Sequence, residues 1–366
     1  MTIPFAIQQI EPTSAKWLLV SDFNRFKLSS AAMSNDGNFY VFYEHEFVEK
    51  FTLVDIDGNL IKEVYTELKD EDFIIGFDLS FKGDYLILAY INEAQATSLR
   101  VIEIKSSEII LEVKSAFIFL TSATKNLLLY EVIDDFTGEA LHSVIYDLDL
   151  REEKARFSGR HAGRFSDISL DGSRALLVSN NEVLSYIDLQ GSFEPVQLLD
   201  LGGLHYDGAV RTNPRFYTRD IFGLEIREDI GQFIRFFQLK NGRIELLREF
   251  INISQQPIID EHLFGLPDLN YQNMLMLDPL TGGTLFEQDA YWEYLAISPN
   301  GRWVTSYNRF LNSLNIYHYP EMTLVEEIPN CVCQGGEFSA DSTRFMTVSG
   351  FGEEASVLVF ELQEAD

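Results

Sequence analysis

A four-residue phrase that keeps returning constrains this chain more than any other feature. A short apolar stretch ends in Ser, one further residue, Asp or Asn, then Gly, and a strongly apolar stretch follows. The phrase reads Ser34-Asn35-Asp36-Gly37, Ser169-Leu170-Asp171-Gly172 and Ser298-Pro299-Asn300-Gly301, with looser copies at Ser80-Phe81-Lys82-Gly83 and Ser339-Ala340-Asp341-Ser342. Asp-Gly and Asn-Gly supply positive φ, so each phrase predicts a tight hairpin between two strands, A and B, of a repeat unit.

Asp171 and Asn300 are 129 residues apart, three times 43, which leaves room for two worn copies. They are expected at Asn213-Pro214, ahead of Arg215-Phe216-Tyr217, and at Asp260-Glu261, ahead of His262-Leu263-Phe264. A further worn copy falls at Lys125-Asn126, before Leu127 to Tyr130. The eight turns then start at 36, 82, 125, 171, 213, 260, 300 and 341. Spacings of 40 to 47 residues are the period of one propeller blade. Each turn should lead into a second hairpin, strands C and D. Phe51 to Asp57 then Leu60 to Val64 is one, Gln232 to Leu239 then Arg243 to Glu249 another, and others begin near Leu99, His142, Val183, Asn273 and Ser313. The eighth unit, from Ser356, has no following strand, so one from residues 3 to 28 is expected to complete it and close the ring. The expected fold is all-β, a β-propeller of about eight four-stranded blades with seven as the alternative count, forming one domain over 1–366.

The Ser-x-Asp/Asn-Gly turn followed by apolar residues, as in Asp171 to Val178, resembles the repeats of the WD-repeat propeller superfamily across nearly the whole chain. The repeats are degenerate. No blade has Gly-His before strand A or Trp-Asp ending strand C, where Ile56-Asp57, Ile104-Lys105, Tyr146-Asp147 and Ile187-Asp188 stand instead. The resemblance implies that the D-to-A connections crowd one end of the ring and form its recognition face.

Composition narrows the partners. With 57 acidic and 28 basic residues the formal charge is -29, which repels nucleic acid and anionic membrane surfaces. A basic protein partner fits that charge, and so does plain solubility. Residues 1 to 17 lack a secretory signal and no run of 18 apolar residues exists, so the expected address is the cytoplasm, without a membrane span. Cys331 and Cys333 build no disulfide framework and read as buried thiols rather than a metal site.

The least ordinary residues fall in the D-to-A connections, read as 65–72, 157–164, 200–207, 250–256, 288–293 and 329–335. Arg151, Lys154, Arg156, Arg160 and Arg164, with His161 among them, form a basic island in an acidic chain. They read either as a socket for a carboxylate, phosphate or acidic peptide, or as partners of nearby acids such as Glu152 and Glu153. Arg211, Arg215 and Arg219 are a second basic run open to the same two readings. His205-Tyr206 and Tyr291-Trp292 are candidate aromatic anchors for a peptide, or packing against the next blade. Catalytic motifs are missing or broken: no Gly-x-Ser-x-Gly elbow, no phosphate loop ending in Gly-Lys, and a His45-Glu46 without its second His. The expected function is a non-catalytic interaction scaffold, without cofactor, that binds a protein or peptide through Arg160, His161, Arg164, His205, Tyr206, Tyr291 and Trp292. The alternative is a hydrolase- or lactonase-type propeller using His161, His205 and arginines around the central channel.

Overall fold

A computed structural model of the chain describes residues 16–23, 28–44, 50–69, 71–134, 137–201, 214–228, 231–240, 243–250, 258–260, 262–267, 273–289, 292–350 and 355–363. Its strands form eight antiparallel sheets of four, each a blade whose strands are neighbours in the order A, B, C, D. Blade 1 is β2 (Leu28–Met33), β3 (Phe39–Glu44), β4 (Lys50–Asp55) and β5 (Leu60–Tyr65). Blade 2 is β6 (Phe73–Leu79), β7 (Tyr85–Ile91), β8 (Thr97–Glu103) and β9 (Glu108–Lys114). Blade 3 is β10 (Ala116–Thr121), β11 (Leu127–Ile133), β12 (Ala140–Asp147) and β13 (Glu152–Ser158). Blade 4 is β14 (Gly163–Ile168), β15 (Arg174–Ser179), β16 (Val183–Asp188) and β17 (Pro195–Asp200). Blade 5 is β18 (Arg215–Thr218), β19 (Ile221–Glu228), β20 (Gly231–Lys240) and β21 (Arg243–Phe250). Blade 6 is β22 (Ile258–Asp260), β23 (Leu263–Pro267), β24 (Asn273–Leu277) and β25 (Thr284–Asp289). Blade 7 is β26 (Trp292–Ile297), β27 (Trp303–Asn308), β28 (Ser313–His318) and β29 (Thr323–Pro329).

Blade 8 takes β30 (Cys333–Phe338), β31 (Arg344–Ser349) and β32 (Ser356–Gln363) from the end of the chain and β1 (Lys16–Phe23) from its beginning. The closing pair runs antiparallel from Lys16 opposite Gln363 to Phe23 opposite Val357. Trp17 locks it: only 2 % exposed, its ring lies edge-on to Trp303 and to Phe338, 5.8 Å from each.

Each blade is too thin to hold a core of its own, so the apolar faces meet between blades. Among the described residues eight buried clusters result, one at every junction. Val41, Phe51 and Leu53 of blade 1 meet Leu86, Leu88 and Ile102 of blade 2; Tyr40, Phe42 and Val54 on the opposite face of blade 1 meet Val357 and Val359 of blade 8. This is why the strands carry near-continuous apolar runs such as Tyr85 to Tyr90, which is buried throughout. Among the described residues no helix is long and apolar enough to cross a membrane.

Count, closure and second hairpins match the sequence reading, with one correction. Arg215-Phe216-Tyr217 belongs to strand A of blade 5 rather than strand B, and the A-to-B turn is Arg219-Asp220. That turn has no Ser-x-Asp-Gly phrase. Its place in the ring is held from the neighbouring blade, where the Arg174 guanidinium donates to Arg219 O at 3.0 Å and pairs with Asp220.

Candidate functional site

The recurring phrase builds one end of the ring. In blade 4 the Ser169 hydroxyl donates to Asp171 at 2.8 Å and accepts the Arg174 N–H at 3.0 Å. Asp171 also accepts the Ser173 N–H at 3.0 Å, and Gly172, at φ 62°, donates back to Ser169 O at 2.7 Å. The same set of bonds recurs around Ser34 and Asp36, Ser298 and Asn300, and Ser339 and Asp341. Burial alone would raise the Asp171 carboxyl, but the hydrogen bonds from Ser173 and Ser169 outweigh it and hold the group below the usual carboxylate range. Neighbouring turns also interlock. Thr124 donates to Asp171 O at 3.1 Å, Ala340 N–H to Asn35 O at 2.6 Å, and Ser342 accepts the Asn300 N–H at 3.0 Å. These turns rim a channel-mouth cavity of about 640 Å³, lined by residues such as Asn35, Asp171, Arg219, His262 and Asp341. Arg219 of the second basic run lines it, whereas Arg160, His161 and Arg164 do not.

Inside the channel, three innermost strands carry an acid two residues before the motif serine or its equivalent, and each reaches the innermost strand of the next blade. Glu337 accepts the Met33 N–H at 2.5 Å, Asp167 the Phe216 N–H at 2.7 Å, and Asp78 the Thr121 hydroxyl at 2.5 Å. They cap backbone or hydroxyl groups on strand edges that have no sheet neighbour. Desolvation raises Asp78 to about 6, and desolvation with the nearby Asp78 charge raises Glu337 to about 8.

At the opposite end, the connection from β13 to β14 is a single turn of 3-10 helix, Gly159–His161. It is tied down from both sides. The Asn180 amide donates to Ala140 O at 2.6 Å and accepts the Ala140 N–H at 3.2 Å, while the Asn180 N–H donates to Ala162 O at 2.7 Å. The buried Ser143 hydroxyl accepts the Gly163 N–H at 2.7 Å and donates to Gly163 O at 2.5 Å. Gly163 must be glycine, because a Cβ there would sit 2.1 Å from Val178 O. The result is a rigid strap between blades 3 and 4, with Arg160 and His161 exposed on it and hydrogen-bonded to each other at 3.2 Å.

The basic island divides in two. Arg151 pairs with Glu103 and Glu108 of blade 2 at 3.1 and 3.2 Å, Lys154 with Glu152 at 2.8 Å, and Arg156 with Glu153 at 2.9 Å. Arg160 and Arg164 have no carboxylate within ion-pair distance among the described residues. Arg164 lies in strand β14 rather than in the connection, exposed, where its charge opposes the burial that raises Glu131 to about 7. Arg215 opens β18, Arg219 lies in the turn after it, and they pair with Asp167 and Asp171, so the second basic run is spent on ion pairs where it is described.

Trp292 opens strand β26 opposite Asn308, while His205, Tyr206, Tyr291 and Arg211 lie outside the described residues. Cys331 and Cys333 are buried, 1 % and 5 % exposed, with their sulfurs in hydrogen-bond contact at 2.7 Å; that bond and burial hold Cys333 as the thiol. No three of His, Cys, Asp and Glu converge to hold a metal ion among the described residues. The structure also places Ser143 and Asn180, which no sequence pattern singled out. They bond residues of a neighbouring blade, so no local signal marks them.

No family model matches the chain, and no curated protein is similar to it in sequence. Solved structures are similar in fold. The C-terminal WD40 domain of Sif2 superposes with a TM-score of 0.58 at 9 % identity, covering 95 % of this chain and 98 % of that one. The β-propeller domain of Cps50 (Swd1) from Myceliophteria thermophila gives 0.50 at 12 % identity, covering 95 % and 100 %. Eight four-stranded blades, a two-ended closing blade and these superpositions make the chain a WD-repeat-like β-propeller in fold.

Proposed function

We propose that the chain is a non-catalytic interaction scaffold that binds a protein or peptide at the end of the ring carrying the D-to-A connections. One observation carries the reading: in a chain of net charge -29, Arg160 and Arg164 stand exposed with no carboxylate in ion-pair reach among the described residues, one of them on a strap fixed by Asn180 and Ser143. A guanidinium held out by a rigid mount is prepared for an incoming acceptor, because little freedom is lost on binding. Arg160, His161 and Arg164 form the described part of the recognition surface, and Trp292, Tyr291, His205 and Tyr206 belong to it by their place in the repeat. Loop-borne recognition on a rigid scaffold suits this architecture. The same proposal takes 1–366 as one domain working in the cytoplasm.

The test is a tagged pull-down from native lysate at low and moderate salt, beside a variant carrying Arg160→Glu, Arg164→Glu and Trp292→Ala. A partner lost by the folded variant, and cross-linked to wild type through this end of the ring, supports the reading. A partner that the variant retains, cross-linked through the Ser-x-Asp turns, would refute it.

A further inference from the structure

Beneath the strap lies a cleft that the scaffold reading does not use. It has a volume of about 370 Å³, in the size range of small-ligand sites, and runs between the Gly159–His161 turn and one face of blade 4. Arg160 and His161 form its head, at the ring's rim. Its floor crosses three strands: Leu177 of β15 is registered with Ser185 of β16, and Ser185 with Gln197 of β17. Adjacent strands lie about 4.8 Å apart, so this row is about 10 Å long and matches roughly three residues of extended chain.

The chemistry of the lining is unfinished. Ser185 is only 7 % exposed as a residue, and its hydroxyl, without a hydrogen bond among the described residues, stays open to solvent at the cleft wall. The side chains of Asn181 and Gln197, which also line the cleft, are likewise unengaged there. A hydroxyl that opens onto a cleft can exchange its water for a ligand's donor or acceptor. Hydroxyl and amide groups beside one guanidinium suit a peptide backbone with a single carboxylate, which arginine grips with two parallel N–H donors. The net charge of -29 argues against anything more highly charged, such as a phosphate, whose repulsion grows with its own charge. At physiological salt the long-range field is screened beyond about 8 Å, so the local arginine decides for a single carboxylate.

Resting on the scaffold reading, we infer that the cleft between blades 3 and 4 takes an extended peptide segment of the partner, seating an aspartate or glutamate carboxylate on Arg160. Leu177 and Ser185 floor the segment and Gln197 marks its exit at the outer strand.

The experiment displays random seven-residue peptides against the full chain and measures the enriched ones by fluorescence anisotropy. Enriched peptides are expected to carry Asp or Glu, and to weaken about tenfold when that residue becomes Asn or Gln or when Arg160→Ala removes its partner. Ser185→Phe, which fills the floor, should block them, with its fold checked by circular dichroism. Arg156→Ala should leave them unchanged, since that side chain is engaged by Glu153 outside the cleft. Binding displaced by 10 mM phosphate but not by 10 mM acetate would overturn the inference in favour of a phosphate site. Peptides that ignore Arg160→Ala and Ser185→Phe but are released by Trp292→Ala would overturn it while leaving the scaffold reading intact. Enrichment of no peptide at all would count against both.

Discussion

At one end of the ring the Ser-x-Asp/Asn turns bond to themselves and to one another. At the other, the exposed Arg160 has no acid in reach among the described residues. Ser169 and Asp171 exchange hydrogen bonds within their own turn and receive Thr124 and Arg219 from the adjoining ones. Across the channel, Arg160 is mounted just as firmly but reaches no acid among the described residues. Like chemistry repeated in four of the eight blades builds the ring; chemistry found at one junction is free to serve something outside it. The repeat that makes the fold legible is for that reason a poor guide to the function.

Substitutions should therefore sort by end. The largest effect is expected from Gly172→Val at the turn end, which forces a β-branched residue to positive φ and drives its Cβ to within 2.0 Å of the Thr124 hydroxyl. It should cost about 3 kcal/mol by urea denaturation. Asp171→Ala removes the acceptor for three donors of one turn and should cost about 1–3 kcal/mol while leaving partner binding unchanged. A loss of binding in a folded Asp171→Ala variant would break the comparison.

The carboxylates sharpen it through pH. Glu337 titrates higher in the folded chain than in the unfolded one, so its contribution is complete below the ordinary glutamate range and is lost as pH rises through about 8. Asp171 and Asp341 titrate lower when folded, so theirs is present above the ordinary aspartate range and is lost as pH falls through their folded values. Glu337→Gln should flatten the decline in melting temperature between about pH 5 and 8. Asp341→Asn should instead flatten the acid limb. The smallest stability effect belongs to Arg160→Ala, within about 0.5 kcal/mol of wild type by the same denaturation, although it should weaken binding about tenfold.

The sequence made most of the architecture readable because the turn chemistry is local: a serine, an acid and a glycine act on one another across five residues. Blade 5 escaped because its turn, Arg219-Asp220, is held by Arg174 from blade 4, some 45 residues earlier. The same distance hid the site. The pairs of Lys154 and Arg156 with Glu152 and Glu153 are legible locally, but Arg151 is paired by Glu103 and Glu108 from another blade, which no spacing within residues 151–164 reveals. One signal was available and carried meaning: Asp78, Asp167 and Glu337 stand at equivalent positions, two residues before Ser80, Ser169 and Ser339. An acid recurring there foretells a cap on the adjoining blade.

The closing blade has a consequence in time. Lys16 pairs with Gln363, so β1 leaves the ribosome about 350 residues ahead of the strand it must join. At about 5–20 residues per second that wait is roughly 20 to 70 s. For its duration Trp17 lacks Phe338, one of the two rings that later bury it, and the outer edge of blade 8 does not yet exist. Until then the propeller is an open arc of blades with an unpaired strand ahead of blade 1, and whatever shields that strand governs how much of the chain becomes a ring.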